Sequence, residues 1–200
     1  MSNKNILICK LATVVMISVS AVSCVTEVSE SPSAMKFSDT AVISVRDPGV
    51  YIAPGSTIAW LPEAVRYYQD ERLKDAPLKS LIEKEIVANL QAKKMSVVES
   101  VNGANYAIAY TAALESSLDD TAIIRRFGLL PGNAQIPQND ANVEKGSLIV
   151  YVFNSKTSDI VWRSAAQVGV KFDTTADEQK LRVKRVVKEI FQTFPVAEKT

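Results

Sequence analysis

Along the chain the spacing of apolar residues changes several times, and each change marks an element. Ala41 to Val45 reads as a short strand, ended by the turn signal Asp47-Pro48-Gly49. Thr57 to Leu61 reads as a strand carrying Trp60, which Pro62 breaks before the polar, aromatic stretch Tyr67-Tyr68-Gln69-Asp70. The spacing then lengthens to three and four. Leu78, Leu81, Ile82, Ile86 and Leu90 define a helix, with Asp75 or Ala76 at its cap and Pro77 in the first turn, where a missing N–H costs nothing. Lys93 and Lys94 suit its C-terminal end.

Met95 to Glu99 is the next expected strand. Asn102-Gly103 forms a turn, and Tyr106, Ile108 and Tyr110 alternate with Ala107, Ala109 and Thr111, so the two strands are expected to pair as a hairpin. An irregular stretch follows from about Glu115 to Val143, long enough to suggest function or disorder. Ser147 to Phe153 and Ile160 to Phe172 form a second hairpin through the polar run Asn154 to Asp159. On its second strand, simple alternation places Ile160, Trp162, Ser164 and Ala166 on one face and Val161, Arg163 and Ala165 on the other. From Thr175 to Phe194 a closing helix carries Val183, Val187, Ile190 and Phe194 on one stripe and Lys180, Lys184 and Lys188 on another, before Pro195. The expected fold is α+β, a mostly antiparallel β-sheet with two helices packed on one face.

The first residues carry a different pattern. Lys4 and Lys10 lead into an apolar stretch from Leu11 to Val22, interrupted by Ser18 and Ser20. At about 12 residues it is too short to cross a bilayer core and has the layout of a secretory signal. Ala21-Val22-Ser23-Cys24 resembles a bacterial lipobox, although Ala21 stands where Leu is usual. That resemblance implies cleavage before Cys24 and lipidation of its thiol, since a thiolate is nucleophilic enough to take up the lipid. The bland alternative is an ordinary free thiol. The expected organisation is a signal peptide over 1–23, the lipidated Cys24 and a flexible tether over 24–40, and one α+β domain over 41–200. Two or more acyl chains would give a stable membrane anchor. Val25 follows the cysteine, where Asp would signal inner-membrane retention, so the implied location is the outer membrane, facing the periplasm.

Removing 23 of 200 residues leaves 200 − 23 = 177, ample for one hydrophobic core. Basic residues fall from 23 to 21 against 22 acidic ones, a balance of 21 − 22 = −1, so nucleic acid is not an expected partner. Cys9 leaves with the signal and the chain has no histidine, so the usual zinc, copper and haem ligand sets cannot be assembled. No metal and no cofactor are expected.

Gly146-Ser147-Leu148-Ile149-Val150, then Ser155-Lys156-Thr157 and Ile160-Val161-Trp162-Arg163-Ser164-Ala165, resemble the core of the bacterial lipoprotein family catalogued as domain of unknown function 4136. Ala59-Trp60-Leu61-Pro62, Asn105 to Tyr110 and Ile190 to Pro195 are similar to its remaining landmarks, so the likeness runs from Thr57 to Pro195. Asn154 stands in place of an Asp and Ser164 in place of a Gly, so no acidic role at the hairpin carries over. The resemblance implies no activity.

Three groups of residues are candidates for function. Arg163 is a candidate ligand contact, against the plainer reading of a solvated or salt-bridged strand residue. Ile123, Ile124, Arg125, Arg126 and Phe127 would suit contact with a partner or with lipid head groups, against packing over a sheet edge. Asp119 and Asp120 offer paired carboxylates, although neighbours in a loop need not converge on one substrate atom. The leading expectation is a non-enzymatic envelope lipoprotein whose domain binds or scaffolds another envelope protein. The alternatives are a carrier of a small apolar ligand or lipid and a carboxylate-based hydrolase.

Overall fold

The computed structural model describes residues 40–73, 77–132, 136–137 and 140–197, all within one compact unit spanning Met35–Thr200. The expected signal, Cys24 and all of the tether up to residue 39 lie outside the described residues. Seven strands form one sheet: β1 (Thr40–Arg46), β2 (Thr57–Trp60), β3 (Arg66–Tyr67), β4 (Ser96–Val98), β5 (Tyr106–Leu114), β6 (Val143–Asn154) and β7 (Ile160–Lys171). Their order is β1-β7-β6-β5-β2-β4, with β3 also pairing with β5. The long central pairings are antiparallel, whereas β2 and β3 run parallel to β5, and β2 runs parallel to β4. The sheet is therefore mixed.

Among the described residues three α-helices accompany it, α1 (Leu78–Ala92), α2 (Asp120–Phe127) and α3 (Ala176–Gln192). The amphipathic stripes of α1 and α3 bury Ile82, Ile86 and Leu90 on one and Val186, Val187, Ile190 and Phe191 on the other. These meet Ile108, Tyr110, Val150, Val152 and Trp162 in the main core. Thr175 starts α3 with a capping box, its hydroxyl accepting from the Glu178 N–H while the Glu178 carboxylate accepts from the Thr175 N–H. The expectation of two helices on one face holds for α1 and α3, and needs correcting for α2, which packs over the other face against Ala113 and Leu118.

Two further expectations are overturned. Met95 to Glu99 and the strand at Tyr106 do not form a hairpin, because β2 lies between β4 and β5 and pairs with both. Ile58 and Ala59, adjacent on β2, are both fully buried, as on a strand covered on two faces. A helix joins β2 to β4, as a parallel pair requires. The side chain of Asn105 fastens the entrance of β5 to β2, its Oδ1 accepting from the Thr57 N–H at 2.9 Å. The second correction is local. Between Val152 and Phe153 the β6–β7 register jumps, so that Trp162 opposes Val152 but Ile160 opposes Phe153. This β-bulge puts Val161 and Trp162 together in the main core and turns Ile160 to the face that carries Arg163.

Candidate functional site

The stretch expected to be irregular from Glu115 to Val143 contains α2, and the helix is capped at both ends. The Asp119 carboxylate accepts from the Ala122 N–H at 2.7 Å, an N-cap worth about 1 kcal/mol. Gly128 ends the helix at φ 65°, a left-handed conformation that glycine adopts without steric cost. Asp120 accepts from Lys145 and from Gln167, each at 2.7 Å, and Lys145 also reaches Glu115 at 2.8 Å. The two carboxylates thus serve a cap and a polar network, pointing to different partners.

Between α2, the short 3-10 turn Pro62–Ala64 and strands β5 to β7 lies a cleft of about 480 Å³. Its floor is Thr111, Ile149 and Tyr151, its aromatic walls are Tyr68, Phe127 and Phe153, and its cations are Arg66, Arg126 and Arg163. Phe127 stacks on Tyr151 with ring centroids 5.9 Å apart, and Tyr151 meets Phe153 edge-on at 5.5 Å. The Tyr151 hydroxyl donates to the Ala64 carbonyl at 2.8 Å and lies 3.2 Å from the Thr111 hydroxyl. Burial raises the pKa of this phenol; the Thr111 hydrogen bond and the fields of Arg66 and Arg126 work the other way.

The three guanidinium groups are held differently. Arg66 donates to the carbonyls of Glu63 and Val65 at 2.6 and 2.9 Å. Arg126 donates to the Tyr68 hydroxyl at 2.9 Å. Arg163 stands directly across from Tyr151 in the β6–β7 register, and its Nε is buried without a hydrogen-bond partner among the described residues. Its guanidinium lies beside the end of α2, where a Cβ added to Gly128 would stand 3.6 Å from Nη2. That end of a helix carries partial negative charge and favours a cation. Ion pairs among the described residues engage Arg72, Lys79 and Lys145 as cations, and none of the three cleft arginines. No carboxylate lines the cleft among the described residues.

Of the candidate contact residues, Arg126, Phe127 and Arg163 come together here. Ile124 and Arg125 are exposed outside the cleft, and Ile123 has no exposed surface, so it anchors α2 and offers nothing to a partner. Arg66, Tyr68 and Tyr151 were not among the candidates. Tyr151 comes opposite Arg163 only through the β-bulge, since unbroken pairing from Phe153 and Ile160 would set it against Trp162; Arg66 and Tyr68 arrive through the β3–β5 pairing, which no local pattern announces.

A family model described as a domain of unknown function, DUF4136, matches residues 45–196. The chain belongs to the DUF4136 family. Among solved structures, this DUF4136 chain is similar to PelC from Paraburkholderia phytofirmans, described as a dodecamer, at 6% identity and a TM-score of 0.48, over 80% of this chain and 99% of that one. It is similar to a DUF4136 family protein from Bacteroides thetaiotaomicron at 14% identity and a TM-score of 0.45, over 78% and 96% of the two chains. It also resembles the lipoprotein GNA1162 from Neisseria meningitidis at 11% identity and a TM-score of 0.36, over 69% and 99%. No curated protein matches the sequence. Among the described residues, no helix of this DUF4136 domain is long and apolar enough to cross a membrane.

Proposed function

We propose that this DUF4136 chain is a non-enzymatic cell-envelope lipoprotein whose domain binds an anionic group of another envelope component in the cleft beneath α2. The observation that carries the reading is the set of three guanidinium groups, Arg66, Arg126 and Arg163, around a concavity lined by no carboxylate among the described residues. Guanidinium groups bind phosphate and carboxylate through paired N–H donors, and of the three here Arg163 is half-buried while Arg66 and Arg126 are exposed at the rim. A half-buried guanidinium without a counterion is unfavourable, so an incoming anion restores a missing partner. What favours binding over catalysis is the lining itself, in which, among the described residues, Thr111 and two tyrosines have no histidine or carboxylate beside them to take a proton.

Pyrophosphate titrated into the protein and followed by amide chemical shifts tests this. Arg126→Gln and Arg163→Gln are each expected to weaken binding about tenfold, while Arg125→Gln, outside the cleft, leaves it unchanged. Absence of saturable binding to wild type, or equal weakening by all three changes, overturns the proposal.

The address belongs to the same reading. Lipid on Cys24 holds the domain to the outer membrane, facing the periplasm, and the segment after it supplies reach. Cys24→Ser is expected to abolish labelling by radioactive palmitate and to leave the precursor uncut. Normal processing of that variant removes the anchor from the proposal.

A further inference from the structure

On the other face of the sheet, α1 and α3 do not close fully over the strands. Between the N-terminal halves of the two helices a half-open cavity of about 110 Å³ remains, with Ile82, Leu148, Val168, Val183 and Val186 in its walls. Gly146 forms part of its floor, and glycine is required there, since a Cβ would stand 2.6 Å from Cγ2 of Val170.

Among the described residues, one cation reaches this apolar hollow. Arg182 is half-buried on its lining, and its Nη2 donates to the Thr174 hydroxyl at 2.9 Å. Its other contact is the Lys171 carbonyl at 3.5 Å, so both partners are neutral. Glu178, one turn earlier on α3, accepts from the N–H and the hydroxyl of Thr175 at 2.8 and 2.9 Å, and its charge acts on Arg182 from beyond ion-pair distance. Burial depresses the pKa of the Arg182 guanidinium and the field of Arg185 acts in the same direction, while the field of Glu178 opposes them. The cavity thus combines apolar walls with a desolvated cation that forms no ion pair among the described residues.

The geometry points to a second binding site, in which the hydrocarbon end of a single-chain carboxylate fills the cavity and its head group meets Arg182. An apolar protein cavity of about 150 Å³ accepts benzene, so this one suits the last few carbons of a chain, with the remainder lying in the open groove. Each methylene taken from water tightens binding about fourfold. A carboxylate adds a charged hydrogen bond that a neutral head group of the same length cannot supply. The arginine cleft lies across the sheet, and Tyr68 borders both sites.

Calorimetry with octanoate and octanol on the full chain in lipid nanodiscs, with chain-free nanodiscs as the blank, tests the assignment. Octanoate is expected to bind saturably and about tenfold more tightly than octanol. Arg182→Gln should remove that preference and leave octanol binding unchanged, Val183→Trp should abolish both by filling the cavity, and Arg163→Gln should alter neither. If Val183→Trp does not fold, the series butanoate, hexanoate, octanoate on wild type takes its place, with affinity rising until the cavity is full. Equal affinity for octanoate and octanol, no saturable binding, or indifference to Arg182→Gln overturns the site.

Discussion

Trp162→Ala is expected to cost about 3–5 kcal/mol of folding stability, enough to leave a domain of ordinary stability barely folded. The indole is 1% exposed and sits between β7 and the end of α3, with the rings of Phe191 and Phe194 centred 5.6 and 5.1 Å away. Those two rings also stack on each other at 5.4 Å. Behind them the chain is tied down, since the Ile52 N–H donates to the Pro195 carbonyl at 2.7 Å. A cavity opened at Trp162 therefore has rigid walls that cannot collapse into it, which places the cost toward the upper end of the range for such truncations.

Trp162→Phe separates size from polarity. The indole Nε1 is buried without a hydrogen-bond partner among the described residues, a defect of about 1–3 kcal/mol that a phenyl ring does not share. Relief of that defect offsets part of the lost volume, so the net loss is expected near 1 kcal/mol. Urea unfolding followed through Trp60 reads both variants, with the midpoint moving and the slope preserved. A loss below about 1 kcal/mol for Trp162→Ala would contradict the packing described here.

The elements readable in the sequence were those specified by their own residues. For α3, Thr175 and Glu178 announce the start and the Val187 and Ile190 stripe supplies the buried face. The β6–β7 hairpin is likewise local, two apolar runs about a short polar turn. Long-range pairing was not readable. Nothing in Thr57–Trp60 says that this strand will lie between β4 and β5, because the choice depends on what each edge can bury against the rest of the domain. The bulge at Val161 was hidden for a different reason: alternation assumes an unbroken period of two, and one extra residue reverses every assignment on its far side. The cleft divides along the same line. Arg163 and Arg126 stood out as charged residues in apolar runs, whereas Arg66 and Tyr68 became relevant only through the β3–β5 pairing. In α2 the terminal signals Asp119 and Gly128 were present, but two turns are too few to establish a period.

That short helix yields the sharpest contrast between two neighbouring residues. Ile123 is fully buried among Ala113, Leu118 and Phe127, whereas Ile124, rotated by about 100° around the helix, is 51% exposed. Ile124→Asp is expected to change stability by no more than about 0.5 kcal/mol. Ile123→Asp both removes a buried side chain, costing about 2–5 kcal/mol, and asks a carboxylate to leave water without a partner. The domain has a cheaper escape, because α2 is a surface element that can lift from the sheet while the core formed by α1, α3 and β5 to β7 stays folded. The expected result is therefore loss of amide-exchange protection confined to Asp120–Phe127, with the central strands still protected. Lifting α2 also withdraws Arg126 and Phe127 from the cleft, so pyrophosphate binding should fall further in Ile123→Asp than in Arg126→Gln alone. Retained protection throughout α2 in Ile123→Asp would mean that Ile123 does not anchor the helix, and the cleft would then need another wall.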